Sequence, residues 1–113
     1  MACLFLDDER FPPVSGGPWH IVRSYAEAVA WVEVHGFPSF VSFDNDLGEG
    51  QPEGWRFAQW LIDRDLDSGG MPADFGFAVH SQNPVRRADI AARLKRYLTY
   101  RIVSTLFANR TEA

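Results

Sequence analysis

Apolar residues fall in four short runs, each stopped by polar or turn-forming residues. The first, Ala2 to Leu6, is continuous, as a central strand buried on both faces requires. Asp7, Asp8 and Glu9 end it, because three adjacent acids cannot stay inside a sheet. Pro12, Pro13 and the Ser15-Gly16-Gly17-Pro18 stretch then force a loop. Trp19 to Arg23 alternates loosely and is rich in β-branched residues, which predicts an edge strand. Ser39 to Phe43 predicts a third strand and Phe75 to His80 a fourth.

Between these runs the apolar period lengthens to that of a helix. Ser24-Tyr25-Ala26-Glu27 has the S-x-x-E form of a capping box. Ala28, Trp31, Val32 and His35 follow on one stripe, and Gly36 with Pro38 ends the helix. Asp44 to Gly54 reads as a loop with three glycines and a proline. A second helix is predicted from Trp55 to Asp65, with Trp55, Ala58, Leu61 and Ile62 on one face, before Asp67-Ser68-Gly69-Gly70 stops it. Asn83 as N-cap and Pro84 at the first helical position open a third helix, whose buried stripe is Ile90, Ala91, Leu94 and Leu98. Arg101 to Phe107 reads as a last short strand or an irregular tail. Residues 109–113 read as a flexible tail beyond a single domain over 1–108.

Strands alternating with helices predict an α/β three-layer sandwich around a small, mostly parallel sheet of four to five strands. At 113 residues the chain is one domain, and 46% apolar content lets it build a core without staples. A single cysteine, Cys3, excludes an internal disulfide. With no leader and no run near ~20 apolar residues, a cytoplasmic protein without a membrane span is the default expectation. The net charge of −4 hides an asymmetry: residues 1–80 carry 13 acids and 4 bases, residues 81–113 carry 2 acids and 7 bases. A solvated basic helix face explains this, and so does a basic wall beside a cation-filled acidic cleft that takes a phosphate.

Ligands in parallel sheets bind outside the carboxyl ends of the strands. Three polar clusters sit just there: Asp7-Asp8, Asp44-Asn45-Asp46 and His80-Ser81. Two unit charges about 4 Å apart repel by roughly 4 kcal/mol at an effective dielectric near 20. Asp7, Asp8, Asp44 and Asp46 therefore predict a site for a hard divalent cation, Mg2+ or Mn2+. The alternative is that Asp8 or Asp46 caps a turn or faces water. His80 is placed for proton transfer or phosphate contact. Ser81, Asn83 and Arg86 are candidate phosphate contacts near a helix N-terminus. Ordinary turn chemistry competes with that reading, above all for Asn83 as a cap. Arg10 either clamps a phosphate or pairs with Glu9 or Asp44. His20 and His35 read as structural, and Trp55 as core-edge with base stacking as the alternative.

These motifs resemble the cyclic-phosphate processing receiver domain family. The resemblance rests on Leu6-Asp7-Asp8-Glu9-Arg10 with Pro12 or Pro13, on Ser42-Phe43-Asp44-Asn45-Asp46-Leu47-Gly48, and on His80-Ser81-Gln82-Asn83-Pro84. It implies a flavodoxin-like, receiver-like fold and a role in handling cyclic phosphates, on small molecules or at RNA ends. It makes Asp7 and Asp8 the acidic pair and Asp44 the phospho-accepting aspartate. The chain departs from the family at Asn45, where a histidine is usual, and at Val85-Arg86, where a glycine is usual. Receivers hold the phosphoryl group with a lysine after the last strand, yet the one lysine here, Lys95, is mid-helix. The expectation is thus a metal-dependent phosphoesterase or cyclic-phosphate processing protein with Asp44 and His80 as its catalytic pair. The alternatives are a signalling switch phosphorylated on Asp44 and a non-catalytic module that binds a phosphate ligand or a protein.

Overall fold

In the computed structural model, residues 2–112 are described, with side chains over 2–108. The elements in order are β1 (Cys3–Leu6), β2 (Trp19–Val22), α1 (Tyr25–His35), β3 (Phe40–Phe43), α2 (Gly54–Ser68), β4 (Gly76–Val79) and α3 (Pro84–Glu112). All four strands are parallel, in the order β2-β1-β3-β4. The expected α/β architecture is therefore present, with β2 at an edge as the loose alternation of Trp19 to Arg23 predicts.

Local chemistry explains the helix boundaries. The Ser24 side chain accepts a hydrogen bond from the Glu27 amide at 3.1 Å, the first half of the capping box, and the Glu27 carboxylate reaches back one residue past the cap to accept from the Arg23 amide at 3.4 Å. Asn83 Oδ1 accepts from the amides of Val85 and Arg86 at 3.0 and 3.1 Å, which makes it the N-cap of α3. Helix α2 begins one residue before the predicted start. A side chain at Gly54 would run into the Asp44 carbonyl oxygen, so only glycine lets the helix approach β3 this closely.

The C-terminal stretch corrects the sequence reading. Arg101 to Phe107 is neither a strand nor irregular; α3 continues through it. The reason is a tertiary network that the local pattern does not contain. The Tyr97 hydroxyl donates to Asp65 Oδ2 at 2.6 Å, and Arg101 Nε lies 3.2 Å from the same oxygen. The Arg101 guanidinium also donates to the carbonyls of Met71 and Pro72 at 2.9 and 3.3 Å. Burial and the Asp65 carboxylate push the Tyr97 phenol well above its ordinary pKa. Residues 109–112, expected in a flexible tail, continue α3, and residue 113 lies outside the described residues.

The core lies between one face of the sheet and all three helices. Leu4, Leu6, Val41 and Phe43 from the strands meet Ala28 and Val32 of α1, Phe57, Ala58 and Leu61 of α2, and Ile90 and Leu94 of α3. The helices thus form one layer, so the sandwich has two layers rather than the expected three, and right-handed crossovers explain why. The β2→β3 and β3→β4 connections step along the sheet in the same direction, so α1 and α2 share a face. The β1→β2 connection is the Pro/Gly loop and supplies no helix for the opposite face. There Phe5, Trp19, Phe40 and His80 form an aromatic sheath instead, with Phe5 stacked on His80 at 4.6 Å and edge-on to Trp19 at 5.9 Å.

Candidate functional site

Strand register builds the site. Leu6 pairs with Phe43, and Phe43 with Val79. The next residues, Asp7, Asp44 and His80, continue that row one step past the carboxyl ends of β1, β3 and β4. Backbone hydrogen bonds hold the row: the Asp44 amide donates to the Leu6 carbonyl and the His80 amide to the Phe43 carbonyl, both at 2.9 Å. One ligand atom from each of Asp7, Asp44 and His80 lies within 4.8 Å of the others. That spacing is the separation of adjacent strands.

Asp7 is the hub of the row and is fully buried. Its Oδ1 accepts from the amides of Glu9 and Arg10 at 3.0 and 2.8 Å. Its Oδ2 faces Arg10 Nε at 2.9 Å and His80 Nε2 at 3.0 Å. Burial pushes the Asp7 carboxyl up, but the two amides, His80 and the Arg10 charge outweigh it, and the net pKa is lowered. Asp7 is held as the anion. His80 is held between Asp7 and Ser42, whose Oγ lies 2.7 Å from Nδ1. An anionic carboxylate at Nε2 calls for a proton on that nitrogen, and Nδ1 pairs with the Ser42 hydroxyl. Both ring nitrogens are thereby engaged.

Asp44 has the opposite electrostatics. Its Oδ1 accepts from the Asn45 amide at 2.9 Å, while Oδ2 has only a long ion pair to Arg10 Nη2 at 3.5 Å. Burial, then the neighbouring Asp7 anion, raise its pKa; the Asn45 amide and the charges of Arg10 and His80 offset this only in part. Arg10 answers to both acids. Burial lowers its pKa, but Asp7 and Asp44 raise it by more.

Asp44 opens onto a cleft of about 670 Å³. Asp8, Glu9, Asp46, Glu49 and Glu53 line it as well, with Arg10, Ser81 and Asn83. Six carboxylates thus face one guanidinium. Asp8 and Asp46 are exposed on the cleft wall rather than in the buried row, and Asp46 Oδ1 caps its loop by accepting from the Gly48 amide at 3.2 Å. Ser81 is buried, and its hydroxyl accepts from the Asn83 amide at 3.2 Å. Arg86 Nε lies 3.7 Å from Glu53 Oε2 at the rim.

Three contributors were not among the site residues expected from sequence. Ser42 holds His80. Arg23 donates to the carbonyls of Asp7 and Arg10 at 3.1 and 2.6 Å, pinning the acidic turn. Asn45 Nδ2 donates to Glu53 Oε2 at 2.6 Å, while its Oδ1 accepts from the Trp55 amide at 3.2 Å, tying the start of α2 to the end of β3. A signal existed for Ser42: it is the one polar residue within the Phe40–Phe43 strand and shares a strand face with Asp44. Among the other candidates, Trp31 packs against His20 at 5.3 Å and His35 at 4.5 Å, away from the cleft. The guanidiniums of Arg56 and Arg93 lie over the Trp55 ring at 4.8 and 4.9 Å.

Comparisons with known proteins bear on this arrangement. Residues 2–96 match the family described as the cyclic-phosphate processing receiver domain. No curated protein matches the chain. Among solved structures, a fusion containing the trimeric coiled-coil segment of yeast Spc42, amino acids 181–211, is 18% identical, with a TM-score of 0.48 over 98% of this chain and 90% of that one. NtrX from Brucella abortus is also 18% identical, with a TM-score of 0.46 over 94% of this chain and 30% of that one. No helix among the described residues is long and apolar enough to cross a membrane. The three motif-bearing turns meet at one sheet edge, and the family match spans all three of them: the chain belongs to the cyclic-phosphate processing receiver domain family.

Proposed function

We propose that this chain binds a phosphoester, a cyclic phosphate in particular, in the Asp44 cleft and hydrolyses it with a divalent cation, Mg2+ or Mn2+. The observation that carries this reading is geometric: Asp7, Asp44 and His80 stand in one row with ligand atoms within 4.8 Å of one another, and Asp44 opens from that row onto a cleft lined by six carboxylates.

The donor chemistry fits a cation. Six carboxylates against one guanidinium repel a phosphate dianion unless further positive charge enters. All the acidic donors are oxygens, which suits a hard ion. Asp44 Oδ2 is the cleft-facing group that would hold it, next to Asp7 and His80; the Asp7 oxygens already accept four hydrogen bonds, and Asp8 and Asp46 line the same cleft. A bound cation would polarise a phosphoryl oxygen. Arg10 supplies N–H donors for the phosphate, with Ser81 and Asn83 on the facing wall. His80 acts behind the cleft in this reading: it fixes Asp7, and through Asp7 it fixes Arg10.

The test is a panel of 2′,3′-cyclic nucleotides and RNA ends, with and without EDTA. Metal-dependent ring opening that falls at least a hundredfold in Asp44→Asn is expected. No turnover in any metal would remove the hydrolase reading and leave binding.

A second reading, a switch phosphorylated on Asp44, draws support from the same Oδ2, which only the long Arg10 contact holds. The absent lysine counts against it. Acetyl phosphate with Mg2+ would leave a hydroxylamine-labile adduct on wild type, and none on Asp44→Asn, if that reading holds.

A further inference from the structure

We propose that Arg10 is a displaceable counter-charge that couples the two ligands of the cleft. With no cation bound it bridges Asp7 and Asp44; a divalent cation takes Asp44 from it, and the released edge of the guanidinium becomes the phosphate donor. This rests on the cation reading above and adds an order to it.

The two ends of the bridge are unequal. Arg10 Nε lies 2.9 Å from Asp7 Oδ2, and its own amide donates to Asp7 Oδ1 at 2.8 Å. The chain at Arg10 is further fastened by Arg23, which donates to the Arg10 carbonyl at 2.6 Å. The other end, Nη2 to Asp44 Oδ2, is 3.5 Å, beyond a good charge-assisted hydrogen bond. The Asp7 end is therefore an anchor and the Asp44 end a release.

Competition for Asp44 follows from its lone pairs. Oδ1 is committed to the Asn45 amide, so a cation entering from the cleft meets Oδ2, the oxygen that Arg10 holds. The guanidinium has the freedom to yield. Its side chain is 41% exposed, and the Asp7 and Asp44 contacts engage two of five N–H donors in a planar fork suited to phosphate. While it neutralises Asp44 it is a poor phosphate donor; once a cation does so, the fork is free without leaving Asp7. Cation and phosphate should then each raise the affinity for the other by the same factor.

The experiment measures binding, not turnover. Mn2+ affinity is measured by titration calorimetry, and inorganic phosphate affinity with and without Mn2+, in wild type, Arg10→Gln and Arg10→Lys. Arg56→Gln, outside the cleft, controls for the loss of one positive charge. Wild type should show phosphate affinity raised at least tenfold by Mn2+. Arg10→Gln should bind Mn2+ about tenfold more tightly than wild type, and more tightly than Arg56→Gln does, while losing the phosphate coupling. Arg10→Lys keeps the charge but not the fork, and should keep Mn2+ affinity within threefold of wild type while losing most of the coupling. If Arg10→Gln does not fold, as judged by circular dichroism, the Arg10→Lys result decides. Unchanged or weaker Mn2+ binding in Arg10→Gln, or coupling that survives in Arg10→Lys, overturns the proposal while leaving the cation reading intact. No Mn2+ binding in wild type or either Arg10 variant overturns both.

Discussion

Asp7 and Asp44 carry the same side chain on adjacent strands, and their surroundings give them opposite tendencies. Four donors converge on Asp7, so its ionised form stabilises the fold. This stabilisation is complete above the ordinary carboxyl value of 3.8 and is lost as pH falls through the lowered folded value. Asp44 is the reverse. Its folded pKa lies above 3.8, so stability falls as pH rises through the window from 3.8 to that raised value, and ionised Asp44 is a cost at neutral pH. Asp7→Asn should therefore lose about 2–4 kcal/mol at pH 7, because buried donors lose their anion. Asp44→Asn should be as stable as wild type or more so at pH 7, an advantage that shrinks on acidification toward 3.8. Urea unfolding of the three proteins between pH 3.5 and 7.5 checks both; a destabilised Asp44→Asn at pH 7 would contradict the assigned direction. Sequence shows that these two acids end strands. It does not show which one collects the donors, because the Glu9 and Arg10 amides, His80 and the Arg10 side chain meet Asp7 only when the turn and the sheet are both formed.

Elements enter the site through their junctions. The turn after β3 and the start of α2 are one unit, since the Gly54 amide donates to the Asn45 carbonyl at 2.8 Å and the Trp55 amide to the Asn45 side chain. Gly54→Ala would drive a methyl group into the Asp44 carbonyl. It should cost 2 kcal/mol or more, on the order of a severe overpacking change, and shift Asp44 with it. Thermal unfolding reads the first effect, and the backbone amide chemical shifts of Asp44 and Asn45 the second. The α1 and α3 caps were legible because capping is a local, three-residue event: Ser24 with Glu27, and Asn83 with the amides that follow. The length of α3 was not legible. Arg101 and Thr105 carry no signal for helix over strand that outweighs β-branched Ile102 and Val103; Asp65 and the Met71–Pro72 carbonyls, far away in sequence, decide it.

At the scale of the whole molecule, charge is the property that function can use. A cleft lined by six carboxylates is an unfavourable concentration of like charge that a cation relieves. Millimolar Mg2+ should raise the melting temperature, by the equivalent of about 2.7 kcal/mol once the ion reaches a hundred times its dissociation constant. EDTA should reverse the gain and Asp44→Asn should abolish most of it; an equal gain in Asp44→Asn would move the cation elsewhere. The order of strands and helices, the edge position of β2 and the gathering of polar motifs at strand ends were all written in the local alternation of apolar and polar residues. Periodicity and capping depend on neighbours within a few positions, so a linear pattern suffices to specify them. Tertiary structure alone decided that the helices share one face, that Asp7 is a saturated hub while Asp44 Oδ2 is held only by a long contact, and that Arg10 stands between them. Each of those depends on contacts between residues tens of positions apart, and their energies exist only after the parallel register has set Asp7, Asp44 and His80 in one row.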